Sequence, residues 1–291
     1  MKKNLTRKLA LSAAAMGVAA LSVTTTTYAW FTSNSTATAS NVSGTVVDAG
    51  EGNLLVSTDA IHWGKTATFA ANDTLLKPVH VNATAGTFTD EKGQPVTGGV
   101  KEYTVYFNIS NVAAGSSVHM KVNLSDFSEK VEQTLLADAG TSEEAKAGKK
   151  VKVGLQDVLA MNIKDKETFP EGATATKTEG ITSLVKGKNY RYQAEPEASA
   201  DAVTYYNNLL GGEPISRPDD YASQYAETTI MGATEATDFT LYTLGETQRS
   251  AVFGLTFTFF IDGWDYQCFN AVADSLFRTG TFEFSVVKKS A

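Results

Sequence analysis

The stretch "SAVFGLTFTFFIDGW", Ser250–Trp264, constrains the chain more than any other. Phe253, Leu255, Phe257, Phe259 and Ile261 fall at every second position, with Thr256, Thr258 and Asp262 between them. Side chains of an extended strand alternate sides with a period of two, so this pattern predicts a strand with one face in a core. A helix would scatter the same residues around its girth and bury none of them well.

The same period recurs. In "YTVYFNIS", Tyr103, Val105, Phe107 and Ile109 share a face; in "VHMKVNLSDF", Val118, Met120, Val122 and Leu124 oppose His119, Lys121 and Asn123. "NVAAGSS", with Gly115, lies between them as a turn, and the two runs read as neighbouring antiparallel strands. "GTFEFSVV" turns Phe282, Phe284 and Val286 inward, and "SGTVVDAG" and "NLLVSTD" are shorter candidates. The middle differs. "SEKVEQTLLADAGTSEEAKAGKK", "LQDVLAMN" and "DAVTYYNNLLGGEP" read as short helices with glycine stops. Strands first and last with helices between predict a mainly β chain, an antiparallel β-sandwich with a partly helical insertion at about 126–250.

Ahead of this domain, Lys2, Lys3, Arg7 and Lys8 precede an uncharged, largely apolar run, Leu9–Val23, followed by a threonine stretch that leads into "TYA" at Thr27–Ala29. The run is shorter than the roughly 20 residues a spanning helix needs. It has the layout of a secretory leader over residues 1–29, with cleavage after Ala29 and Trp30 as the new N-terminus. A retained anchor is the other reading. Residues 30–43 then form a polar arm, with the domain proper at 44–291. Loss of the leader leaves 21 basic against 32 acidic side chains, a formal charge of −11. That excludes an electrostatic footprint for nucleic acid and leaves the membrane only an uncleaved leader to hold.

Little in the sequence carries catalysis. His62, His80 and His119 are the only histidines, and none pairs with another at helical spacing, so the usual zinc-protease ligands are missing. No nucleophile elbow and no phosphate loop is present. Asp90 and Glu91 in "TDEKGQ", and Asp262 and Asp265 in "IDGWD", offer oxygen ligands for calcium but not its twelve-residue loop. Solvated turn acids fit them better. Asn72-Asp73-Thr74 is a short glycosylation-type triplet. Cys268 stands alone, so no internal disulfide forms; it reads as a small buried hydrophobe. Trp264 and Tyr266, beside the strong strand's end, read either as a capping loop tucked over the sandwich or as an aromatic contact surface for sugar or a neighbouring subunit. No cofactor is implied.

The residues "TYAWFTS" at Thr27–Ser33 and "ATASNVSGTVV" at Ala37–Val47, with the paired runs in "YTVYFNISNVAAGSSVHMKVNLSDF", resemble the secreted camelysin/TasA-like proteins of Gram-positive bacteria. The middle of the chain does not align with that family. The resemblance implies a jelly-roll-like sandwich that polymerises into extracellular matrix fibres, secreted or held at the cell surface. Each copy would donate its N-terminal strand to the next, with a minor anchoring or accessory subunit beside the homopolymer. Trp30, Phe31, Thr32 and Ser33 would lie at that interface. Camelysins are also described as metalloproteases, which makes a secreted protease the rival reading and a carbohydrate-binding adhesin the third. Physically, an extended arm either pairs with its own sheet or completes another copy's open edge, since both satisfy its backbone.

Overall fold

The computed structural model describes residues 37–39, 42–46, 53–69, 74–193, 200–211, 214–227, 229, 238–272 and 276–288. Residues 1–36, with the leader, Ala29 and the interface candidates Trp30, Phe31, Thr32 and Ser33, lie outside them, as do Asn72 and Asp73.

Two seven-stranded sheets carry the architecture. In the first, β14 (Asp238–Thr243), β9 (Ser117–Phe127) and β16 (Leu276–Val287) lie side by side. Along the far side of β16 run β1 (Ala37–Ala39) and then β2 (Val42–Val46). Outside them lie β5 (Thr74–Leu76) and β4 (Thr66–Thr68). In the second sheet, β13 (Asn189–Arg191), β12 (Leu159–Asp165) and β15 (Ala251–Asp262) are neighbours. Along the other side of β15 come β8 (Lys101–Ser110) and then β6 (Pro78–Asn82), flanked by β3 (Asn53–Ser57) and β7 (Thr87–Thr89). A separate hairpin pairs β10 (Val131–Thr134) with β11 (Lys150–Val153).

The alternating runs supply the core. Val118, Met120 and Val122 from the first sheet are fully buried, as are Val105, Phe107, Leu255, Phe257 and Phe259 from the second. Rings bridge the two: Phe257 lies 5.0 Å from Phe282, and Phe107 lies 4.9 Å from Phe284. Each such side chain taken out of water stabilises the sandwich by about 1.5–3 kcal/mol.

Two expectations are corrected. β8 and β9 are not neighbours, because β8 pairs with β3 and β15 while β9 pairs with β14 and β16. The link between them crosses from sheet to sheet, bent at Asn111 (φ 58) and Gly115 (φ 75), so both apolar faces still meet in one core. The mainly β, largely antiparallel sandwich is as expected, with three parallel pairs inside it: β1 and β2 run parallel to β16, and β6 parallel to β15. Such pairs need long crossovers, which the intervening strands provide.

The middle is also less helical than its composition suggests. "SEKVEQTLLADAGTSEEAKAGKK" forms most of the β10–β11 hairpin, with one 3₁₀ turn at Glu143–Ala145. Its loop is closed by backbone bonds from Leu135 N to Lys149 O (2.8 Å) and from Ala139 N to Ala145 O (2.7 Å). "LQDVLAMN" keeps one helical turn, α1 (Leu155–Val158), and then enters β12, drawn into seven residue pairs with β15. Only "DAVTYYNNLL" behaves as expected, as α2 (Ala202–Leu210). Asp201 caps it by accepting from Val203 N at 3.1 Å, and Gly211 (φ 59) ends it.

Candidate functional site

Two places stand out. The first is the slot in the first sheet that β1 and β2 fill. Thr38 and Ala39 register with Leu276 and Phe277, and Val42–Val46 register with Gly280–Phe284. Their other edges face β5, from Ala37↔Leu76 to Ala39↔Thr74, and β4, from Ser43↔Thr68 to Thr45↔Thr66. Backbone ladders therefore hold the segment on two sides. Gly44 sits between Phe282 and Ala67 in register and brings no side chain to a row already holding the buried Phe282 ring. The arm expected at 30–43 therefore pairs within its own chain at 37–39 and 42–43, in the sheet's interior and not at its edge.

The second place is the outer face of the second sheet at the end of β15. β15 is buried on both faces there, because segment 215–226 and α2 lie over it. Phe260, Ala160, Val79, Val81, Val203, Tyr221, Tyr225 and Trp264 form a second apolar cluster. Asp262, 1% exposed, sits inside it. Its carboxylate accepts from Tyr221 OH at 2.7 Å, Tyr225 OH at 2.5 Å and Trp264 N at 3.0 Å. The Arg191 guanidinium lies 3.7 Å over the Tyr225 ring and donates to Tyr221 OH at 3.1 Å. Arg217 forks onto Asp201 at 2.5 and 3.1 Å, donates to Trp264 O and covers the Tyr266 ring at 3.8 Å. Burial, reinforced by the Asp262 charge, pushes both phenols well above their ordinary range, so they remain donors. Burial, with Asp265 next, raises the Cys268 thiol likewise.

This arrangement answers the sequence's alternatives at "DGWDYQC". Trp264 is 3% exposed and packed in the second cluster, and Tyr266 is half-buried under Arg217, an arrangement of the capping-loop kind and not of the alternative, a free aromatic contact surface. Asp262 and Asp265 are inside the fold and are not solvated turn acids. Asp90 caps a turn, accepting from Lys92 N at 2.9 Å and Gln94 N at 2.8 Å. Cys268 is buried. His62 is exposed against Asp59 at 2.7 Å, and His119 is half-buried beside Thr240.

A network the sequence did not announce adjoins the cluster. His80 Nε2 lies 3.3 Å from Gln224 Nε2, Gln224 Oε1 accepts from Ala83 N, and Asn162 Nδ2 donates to Asn189 Oδ1. His80 Nδ1 and Asn162 Oδ1 are buried without a hydrogen-bond partner. Burial lowers the His80 pKa from 6.5, against the opposing pull of Asp262 and Asp220. Tyr221 and Tyr225, in "RPDDYASQY", belong to no motif that would mark this region in the sequence. Among the described residues no group of three or more His, Cys, Asp or Glu side chains is placed to hold a metal ion, and no helix is long and apolar enough to cross a membrane. Comparison with protein-family models, curated proteins and solved structures finds no match.

Proposed function

We propose that the chain is an exported structural subunit that builds extracellular or cell-surface filaments by lodging its N-terminal strands in a neighbouring copy. The observation that supports this reading is the interior position of β1 and β2, held by ladders on both sides. Main-chain ladders are indifferent to which copy supplies the strand. A slot left empty presents two unpaired edges, a strong template for another chain. The segment lies at the start of the chain, ahead of every other described strand. One copy's strands in the next copy's slot make a head-to-tail contact that need not close on itself, and an open series of such contacts is a filament. The leader-like residues 1–29 and the resemblance of the junction to camelysin/TasA-like proteins support export. Trp30 and Phe31, just before the strands, serve as apolar anchors.

The test is deletion of residues 30–46 from the secreted form, followed by size-exclusion chromatography and negative-stain microscopy. The expected result is a species that forms no filaments until a peptide of that sequence restores the slot. Filaments from the deleted protein overturn the proposal. Stoichiometric zinc with chelator-sensitive casein digestion by the intact protein would instead establish the protease reading.

A further inference from the structure

The outer edge of the second sheet is open for part of its length, along β8. β15 flanks β8 from Lys101 to Ile109, whereas β3 flanks it only from Tyr106 to Ser110. Val56 makes both its backbone bonds with Gly64, at 2.8 and 3.0 Å, so it turns away from β8, and Leu55 and Ser57 turn toward Asn108 and Tyr106. Main-chain groups alternate sides along a strand, so the even-numbered residues of β8 face away from β15. β15 agrees: Val252 O and Gly254 O accept from Thr178 N and Lys166 N on its other side, which leaves its odd-numbered residues to bond β8. Glu102 and Thr104 therefore each aim an N–H and a C=O past the end of β3, where no described strand lies alongside.

That edge borders an open cleft of about 570 Å³, lined by Lys101–Thr104 of β8, Thr58 just past β3, Gly98 and Val100 just ahead of β8, and Thr68 at the end of β4. The side chains of the edge are already engaged. Lys101 lies over the Tyr103 ring at 5.3 Å, and Thr104 Oγ1 pairs with Thr256 Oγ1 at 3.2 Å. What the cleft offers is main chain, and the complement of an open strand edge is another extended main chain.

The segment that leads into β1 is placed to supply it. Ala37 registers with Leu76, and the next residue, Lys77, donates from its N to Gly99 O at 2.9 Å. The entry to β1 thus lies beside the Gly98–Val100 end of the cleft, and the cleft meets the N-terminal slot again where Ser43 registers with Thr68. Residues 30–36, "WFTSNST", carry no charge and no proline. At about 3.3 Å per residue they reach about 23 Å, against roughly 16 Å for the five residues 101–105. We propose that residues 30–36 of the chain whose β1 and β2 fill the slot add a strand to the open edge of β8, antiparallel to it, so that one N-terminal segment crosses from the second sheet to the first. Adjacent strand residues point to opposite faces, so only one of Trp30 and Phe31 turns toward the core side of β8, where Tyr103 lies. The proposal names the seat of the arm that the filament reading donates. It rests on that reading only for the movement of the arm together with β1 and β2, and it holds for a slot filled from within the chain as well as from a neighbour.

Hydrogen exchange, read residue by residue along β8, tests it on the leader-free chain, on the same chain starting at Ala37, and on the leader-free chain carrying Thr32→Pro with Ser33→Pro. Two adjacent prolines remove N–H groups on both sides of the arm, so a ladder there is broken whatever its register. The amides of Glu102 and Thr104 should be protected in the leader-free chain and exchange at least tenfold faster in the other two. A peptide of residues 30–36 added to the shortened chain should restore their protection. The amides of Tyr103 and Val105, which face β15, should stay protected throughout and report that the sandwich is folded; if shortening unfolds it, the proline variant decides. Equal exchange at Glu102 and Thr104 in the leader-free chain and the proline variant overturns the proposal. Microscopy of the same samples separates it from polymerisation: filaments in which both amides exchange freely overturn this proposal alone, and protected amides without filaments overturn the filament reading alone.

Discussion

Asp262 shows how one buried residue decides what a whole surface does. Its carboxylate satisfies two phenols and a backbone N–H, and without it those donors stay buried and unpaired. Asp262→Ala should therefore cost roughly 2–4 kcal/mol in urea unfolding, and Tyr225→Phe much less, because the carboxylate keeps its other donors. His80 makes a prediction in pH. Its folded pKa lies below the ordinary 6.5, so folded and unfolded chains are both neutral there at higher pH and contribute no slope. Below about 6.5 the unfolded chain takes up the proton first, and stability falls as pH drops toward the depressed folded value. Comparing urea midpoints at pH 7 and pH 5 for wild type and His80→Gln checks this: the variant should lose less stability across that window. A wild type no more acid-sensitive than the variant would contradict the assignment. Neither residue's role was legible in the sequence, where Asp262 looked like a turn acid and His80 like a scattered histidine, because both depend on partners over a hundred positions away or in another segment.

At the scale of elements, the strands whose apolar residues alternate with polar ones were readable, β15 among them although it is covered on both faces, and β12, whose residues do not alternate, was not. Val118, Met120 and Val122 alternate with polar residues because the outer face of β9 meets water, and the period survives in the sequence. In β12, Ala160 and Asn162 are as buried as Leu159, Met161 and Ile163, so the alternation is blurred and "LQDVLAMN" passes for a helix. The pairing of β8 with β9 failed for another reason. A period of two says which face is apolar but not which strand lies alongside, and a six-residue link serves a hairpin or a crossing equally well. Partners leave local marks only where space is tight. Gly254 lies in mid-strand opposite Tyr106, and a Cβ there would meet the Tyr106 ring at 2.9 Å and the Lys166 Cβ at 3.0 Å. Gly254→Ala should thus destabilise the protein by about 1–3 kcal/mol through overpacking, although alanine is otherwise the better strand residue. Paired denaturation curves for the two proteins measure it, and equal midpoints would show that the Tyr106 ring swings aside freely.

For the molecule as a whole, the decisive contact joins its two ends. β2 lies parallel to β16, so the first described strands close the sheet only against one of the last. Contacts this distant in sequence carry a high loop-closure cost and form late. Until they form, β16 and β4 present unpaired edges, and the N-terminal strands of any nearby copy compete for them on equal chemical terms. The outcome then depends on concentration: dilute chains close on themselves, whereas crowded chains exchange. Single cysteines at Ser43 and Thr281, which are register partners, make this measurable. The native Cys268 is buried and does not compete. Ser43→Cys protein and Thr281→Cys protein are unfolded, mixed, refolded at a series of concentrations and then oxidised. Exchange predicts a mixed disulfide dimer whose yield rises with concentration, and in the double variant it predicts a ladder of covalent oligomers at high concentration against a closed monomer at low. Mixed dimers that never exceed the level given by two exposed-cysteine controls would mean that β2 stays in its own sheet. Filament growth would then have to use a different surface.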